Sequence, residues 1–92
     1  MSFAQLFKKY RLLSGLATLD EFADELANHG IYGDSSIFSH WQKGDRRPNR
    51  ATLLILIEIF ATHQSIKTFK EANDFLASAK EGYLTEQEKQ KM

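Results

Sequence analysis

Trp41-Gln42-Lys43-Gly44-Asp45-Arg46-Arg47-Pro48 runs from an aromatic anchor through a helix-stopping glycine and paired arginines into the chain's only proline. Just upstream, Asp34-Ser35-Ser36-Ile37-Phe38-Ser39-His40 reads as a short helix with a polar face. Asp34 is a natural N-cap, and Gly44 lies just past the end, so this helix is expected to run through Trp41 or Gln42. Phe38 and Trp41, three residues apart, point inward together. Ser35, Ser36, Ser39 and His40 then point outward, with Lys43 near the end and Ile37 partly outward. A short helix carrying small polar groups beside a basic turn has the character of a duplex-groove reader.

Nothing around this stretch asks for strands. Phe3, Leu6, Phe7, Tyr10 and Leu13 repeat at helical spacing, and Gly15 is a stop. Thr18-Leu19-Asp20-Glu21 has the form of a capping box, and Leu19, Phe22, Ala23 and Leu26 follow as an apolar stripe, predicting a helix from about Leu19 to Asn28. Asn28-His29-Gly30-Ile31-Tyr32-Gly33 is a loop. Asn49 caps a fourth helix, roughly Arg50 to Thr62. There Leu53, Ile55, Ile57 and Ile59 also fit a buried strand, but the neighbours are helical and no partner strand exists, so helix is chosen. Thr68-Phe69-Lys70-Glu71 is another capping box. It opens a fifth helix with Ile66, Phe69, Ala72, Leu76 and Ala79 inward and Gly82 as its stop; Ser65 is an earlier alternative start. Thr85-Glu86-Gln87-Glu88 repeats the pattern close to the last residue. It reads either as the start of a following element, cut from a longer protein, or as a polar tail. The expected architecture is all-α: a five-helix bundle in residues 1–84, with 85–92 as tail or next element.

Ninety-two residues support one domain with a modest core, and the apolar fraction of 42% argues against disorder. The absence of Cys excludes disulfides and thiolate metal sites. The N-terminus lacks the basic-then-apolar pattern of a secretory signal, and the most apolar run, Leu53 to Ala61, is about half of the roughly 20 residues that span a bilayer. A cytoplasmic, nucleoid-associated location and no membrane partner are expected. Net charge is zero, which counts against a strong nonspecific polyanion binder. The distribution is uneven, however. Lys43, Arg46, Arg47 and Arg50 crowd together opposed only by Asp45, Lys8, Lys9 and Arg11 form a second basic group, and the acids collect elsewhere. His29, His40 and His63 show no metal-ligand spacing, and neither a Ser-His-acid set nor a Gly-rich phosphate loop is present. Neither a cofactor nor an enzymatic activity is expected.

The chain resembles the Cro/phage-repressor-like (XRE-type) helix-turn-helix DNA-binding family over about residues 3 to 62. Thr18 to Ala23 looks like the start of the motif's first helix, Phe38 like the core residue of the recognition helix, and Thr52-Leu53-Leu54 like the opening of the next helix. Trp41, Gly44, Arg46 and Pro48 look like the family's Trp-x-x-Gly-x-Arg-x-Pro ending. Residues 71 to 88 are similar to the segment following such a domain at the N-terminus of large bacterial regulators, in which a STAND-type nucleotide-binding module often comes next. There are departures: Leu19 replaces the usual Gln, Ala27 replaces the turn's usual Gly, and about five residues are inserted before the recognition helix. The resemblance implies a helix-turn-helix formed by helices 2 and 3, and sequence-specific double-stranded DNA binding in transcriptional regulation.

On this basis Ser35, Ser36, Ser39 and His40 are the expected base-facing residues, and Lys43, Arg46, Arg47, Asn49 and Arg50 the phosphate-contacting ones. None of the base-facing group has the bidentate fork that Arg offers guanine or Asn and Gln offer adenine. Each has a structural alternative: a solvated helix face, a solvated basic turn, and for Arg46 an ion pair with Glu21 or Glu25. Asp34 reads first as a cap. Lys9 and Arg11 are either flanking phosphate contacts or a solvated face. Ile55, Ile57 and Ile59 exceed what one helix face requires and serve either the core or a homodimer seam. The alternative function is a protein-interaction module on the same fold with weak or no DNA binding.

Overall fold

The computed structural model describes residues 1–91, and among them the only regular elements are six helices. These are α1 (Phe3–Leu13), α2 (Leu19–Asn28), α3 (Ser35–Lys43), α4 (Arg50–Thr62), α5 (Phe69–Ser78) and α6 (Glu86–Lys91). The bundle measures 33 × 25 × 21 Å. The all-α class and the bounds expected for α2 and α4 match. The expected count of five does not, because the Thr85 capping box closes a real helical turn. The Thr85 amide donates to Glu88 Oε1 at 2.8 Å and the Glu88 amide to Thr85 Oγ1 at 3.2 Å.

α1 is the spine, packing on α3 on one side and α5 on the other, while α2 packs on α3 and α4 on α5. Its aromatic side chains join two clusters. Phe7 meets Phe22 at 5.1 Å and Trp41 at 5.9 Å between ring centroids, both edge-on, and Phe38 closes this cluster against Phe22 and Trp41. Tyr10 meets Phe60 and Phe75 on the other side. Such edge-to-face pairs add about 0.5–1.5 kcal/mol each beyond their buried area. They tie α3 to the rest of the molecule through two of its own residues.

α4 is apolar nearly all round, and Leu53, Leu56, Ile57, Ile59 and Phe60 are all buried. That enclosure is why its pattern also fitted a strand. Of the two roles open to these isoleucines, Ile57 and Ile59 take the core, and Ile55, with Leu54, remains half-buried on the outer side.

All of α1 to α5 end the same way, with the chain turning through a left-handed residue while two backbone amides reach back to the last turn. Glycine fills that place after α1, α2 and α3, but Gln64 and Lys80 fill it after α4 and α5, each at φ +62°. Thus α5 stops at Ser78, before the expected stop at Gly82, because Lys80 adopts the turn conformation and the Glu81 amide closes on the Leu76 carbonyl at 2.9 Å. Elsewhere, Glu25 lies 3.7 Å from His29 Nε2 and 3.4 Å from His63 Nε2, joining the ends of α2 and α4.

Candidate nucleic-acid interface

The position of α3 is set at both ends. At its start the Asp34 carboxylate accepts from the Ser36 amide at 3.0 Å, the Ser36 hydroxyl at 2.6 Å and the Ile37 amide at 3.3 Å. The Ser36 hydroxyl first, then the Ile37 amide, hold the Asp34 carboxyl below its usual range. Asp34 is therefore the cap. At the far end Gly44 turns the chain at φ +85°, and a side chain there would stand 3.7 Å from Ala4 Cβ on α1. In between, Phe38 is 1% exposed and Ile37 40%, which fixes the register in the sense expected from Trp41.

A further tie was not foreseen. Arg11, read from sequence as a surface cation, is only 4% exposed. Its Nη1 donates to the Leu16 carbonyl at 2.7 Å and its Nη2 to Gln42 Oε1 at 2.9 Å. Burial pushes its pKa down, with Glu21 opposing. Arg11 thus fastens the last turn of α3 to α1 and cannot also reach a phosphate.

The outer surface of α3 carries Ser35, Ser36 and Ile37 exposed and Ser39 and His40 half-buried. Ser36 donates its hydroxyl proton to Asp34, and His40 Nδ1 stands 3.4 Å from Asp45 Oδ2. Asp45, the one acid within the basic turn, is thereby drawn toward His40.

Lys43, Arg46 and Arg47 are exposed, and none has an ion-pair partner among the described residues. The pairing of Arg46 with Glu21 or Glu25 does not occur among them. Lys43 and Arg47 line a cleft of about 290 Å³ together with Ser2, Phe3 and Ala4 at the start of α1. Sequence reasoning missed that neighbour, although Ser2 and Gln5 spell a capping box that the structure completes, with Gln5 Oε1 2.8 Å from the Ser2 amide. Pro48 is buried, so the turn is fixed where the arginines leave it. Asn49 caps α4 through Oδ1, which accepts from the Thr52 amide at 2.9 Å, leaving its NH2 group outward-capable.

Arg50 departs from expectation. Its guanidinium donates to Glu88 Oε1 at 2.6 Å and Oε2 at 3.1 Å, to the Tyr83 carbonyl at 2.7 Å and to the Glu81 carbonyl. This fork holds the 81–88 segment against α4 and removes Arg50 from the phosphate set. The contact pulls the Glu88 carboxyl from 4.5 down to about 2.

Among the described residues no group of three or more His, Cys, Asp or Glu is arranged to hold a metal, and no helix is long and apolar enough to cross a membrane. Comparison with protein-family models, with curated proteins and with solved structures gives no match for this chain.

Proposed function

We propose that this chain binds double-stranded DNA sequence-specifically, as the reading module of a transcriptional regulator, with α2 and α3 acting as a helix-turn-helix. α3 lies in the major groove, and Lys43, Arg46, Arg47 and Asn49 hold the phosphate backbone. The observation that carries this reading is the direct continuation of α3 into three exposed cations without acidic partners among the described residues, on a turn fixed by Gly44 and Pro48. Phosphate contacts of that kind set register, and the exposed face of the preceding helix is left for bases. The resemblance around Trp41, Gly44, Arg46 and Pro48 supports the same assignment. On this reading the segment is a binding module and not an enzyme. A homodimer on a two-fold site would use Ile55 and Leu54 alone, and sedimentation as a monomer removes it.

A protein-interaction module is the second reading. It is favoured by zero net charge, by the six-residue stretch 29–34 between α2 and α3, and by the local engagement of Ser36, His40 and Arg50. The two separate in a fluorescence-anisotropy titration against a randomised duplex pool at low and moderate salt, with sequencing of the retained fraction. Salt-sensitive binding with an enriched site supports the DNA reader; no binding at low salt overturns it.

A further inference from the structure

We infer that Ile37 reads the C5-methyl group of a thymine in the major groove, so that this face selects its site by apolar contact more than by hydrogen bonding; the inference rests on the DNA reading above. Hydrogen-bonding capacity on α3 is thin. The Ser36 hydroxyl proton is given to Asp34, His40 has one ring nitrogen beside Asp45, and Ser39 is half-buried. On α3, Ser35 carries the one exposed hydroxyl without such a local tie among the described residues.

Ile37 is the exception to the helix's polar surface. It is 40% exposed, sits in the first turn, and lies one turn before His40 on the same flank. First-turn residues of a groove-docked helix are those that meet base edges. Of the four base pairs' major-groove edges, only thymine presents a methyl group, and its partner is an apolar side chain.

The side chain is also held ready. Isoleucine is stiff at χ1. The loop before α3 runs close by, near enough that a Cβ at Gly33 would make ordinary contact with Ile37 Cδ1 and Phe38 Cζ, each at 3.5 Å. Beneath it, Phe38, the next residue, fills the core at 1% exposure.

The test uses the duplex retained from the randomised pool, with each thymine replaced in turn by deoxyuridine, which removes the methyl alone. Dissociation constants are measured for the wild type and for Ile37→Ala, at lower salt where the variant binds weakly. At one position uracil weakens the wild type about fourfold, the loss expected for uncovering one methyl group, and leaves Ile37→Ala unchanged. Ile37→Gln repeats the comparison if Ile37→Ala melts early. The inference is overturned if no uracil position weakens the wild type, or if the same penalty persists in the variants. Failure of the wild type to bind any duplex at low salt is a different result, and overturns the DNA reading together with this inference.

Discussion

Gln42→Ala, made alone and in an Arg11→Met background, tests whether α3 is fastened to α1 as described. Gln42 Oε1 accepts from the buried Arg11 guanidinium, whose Nε already lacks a partner among the described residues. Truncating Gln42 leaves a second donor of the same buried cation without an acceptor. Hydrogen bonds to charged groups contribute about 1.5–3 kcal/mol each; Gln42 is half-buried and admits some water, so the lower end applies, about 1.5 kcal/mol. For a domain of this size that lowers Tm by roughly 6–12 °C. Arg11→Met removes the cation while keeping the apolar stem. Its own effect is the balance between relief of a buried charge and the loss of a partner for the Leu16 carbonyl. In that background Gln42→Ala should cost under about 0.5 kcal/mol, so the cycle shows coupling of about 1 kcal/mol. Urea unfolding followed by circular dichroism gives all four stabilities. Equal losses from Gln42→Ala in both backgrounds would show that the contact fastens nothing.

Two further outcomes follow from the ends of the helices. Glu88 is held at about 2 by Arg50, below its ordinary 4.5. A depressed carboxyl contributes stability above the ordinary value and loses it as pH falls through the folded one. Wild type should therefore be more stable than Glu88→Gln at pH 7, with the difference shrinking between about pH 4.5 and 2; a difference that is flat across this range contradicts the Arg50 fork. Gln64→Gly and Lys80→Gly should each raise stability by about 0.5 kcal/mol, since both positions sit at φ +62° where a side chain is strained and glycine is not. A lower Tm for both would contradict that reading of the turns.

Much of this fold was legible because its signals are local. Capping residues and the glycines after α2 and α3 mark ends within a few residues, and the bounds expected for α2 and α4 coincide with those found. Lys80 as a left-handed stop was not legible, since a residue other than glycine adopts that conformation only where the surrounding packing over-determines it. Arg50 was placed with the phosphate contacts because its neighbours in sequence are basic, whereas its partner Glu88 is 38 residues away. Arg11 did carry a signal: it stands four residues beyond Phe7, on the flank of the buried stripe, where a cation is held inward. On α3, Ser35 and Ser36 are exposed as expected, while Ser39 and His40 are half-buried. The engagement of Ser36 by Asp34 and of His40 by Asp45 depends on side-chain torsions that spacing does not reveal.

The most direct measurement is the salt dependence of duplex binding for the wild type and for Arg46→Ala with Arg47→Ala. Both side chains are exposed and without ion-pair partners among the described residues, so the variant keeps the fold and its Tm. If the basic turn holds two phosphates, the plot of log affinity against log salt becomes shallower by about 1.8, and binding weakens at every salt concentration. An unchanged slope and affinity in the folded double variant would contradict the assignment of this turn to the DNA backbone.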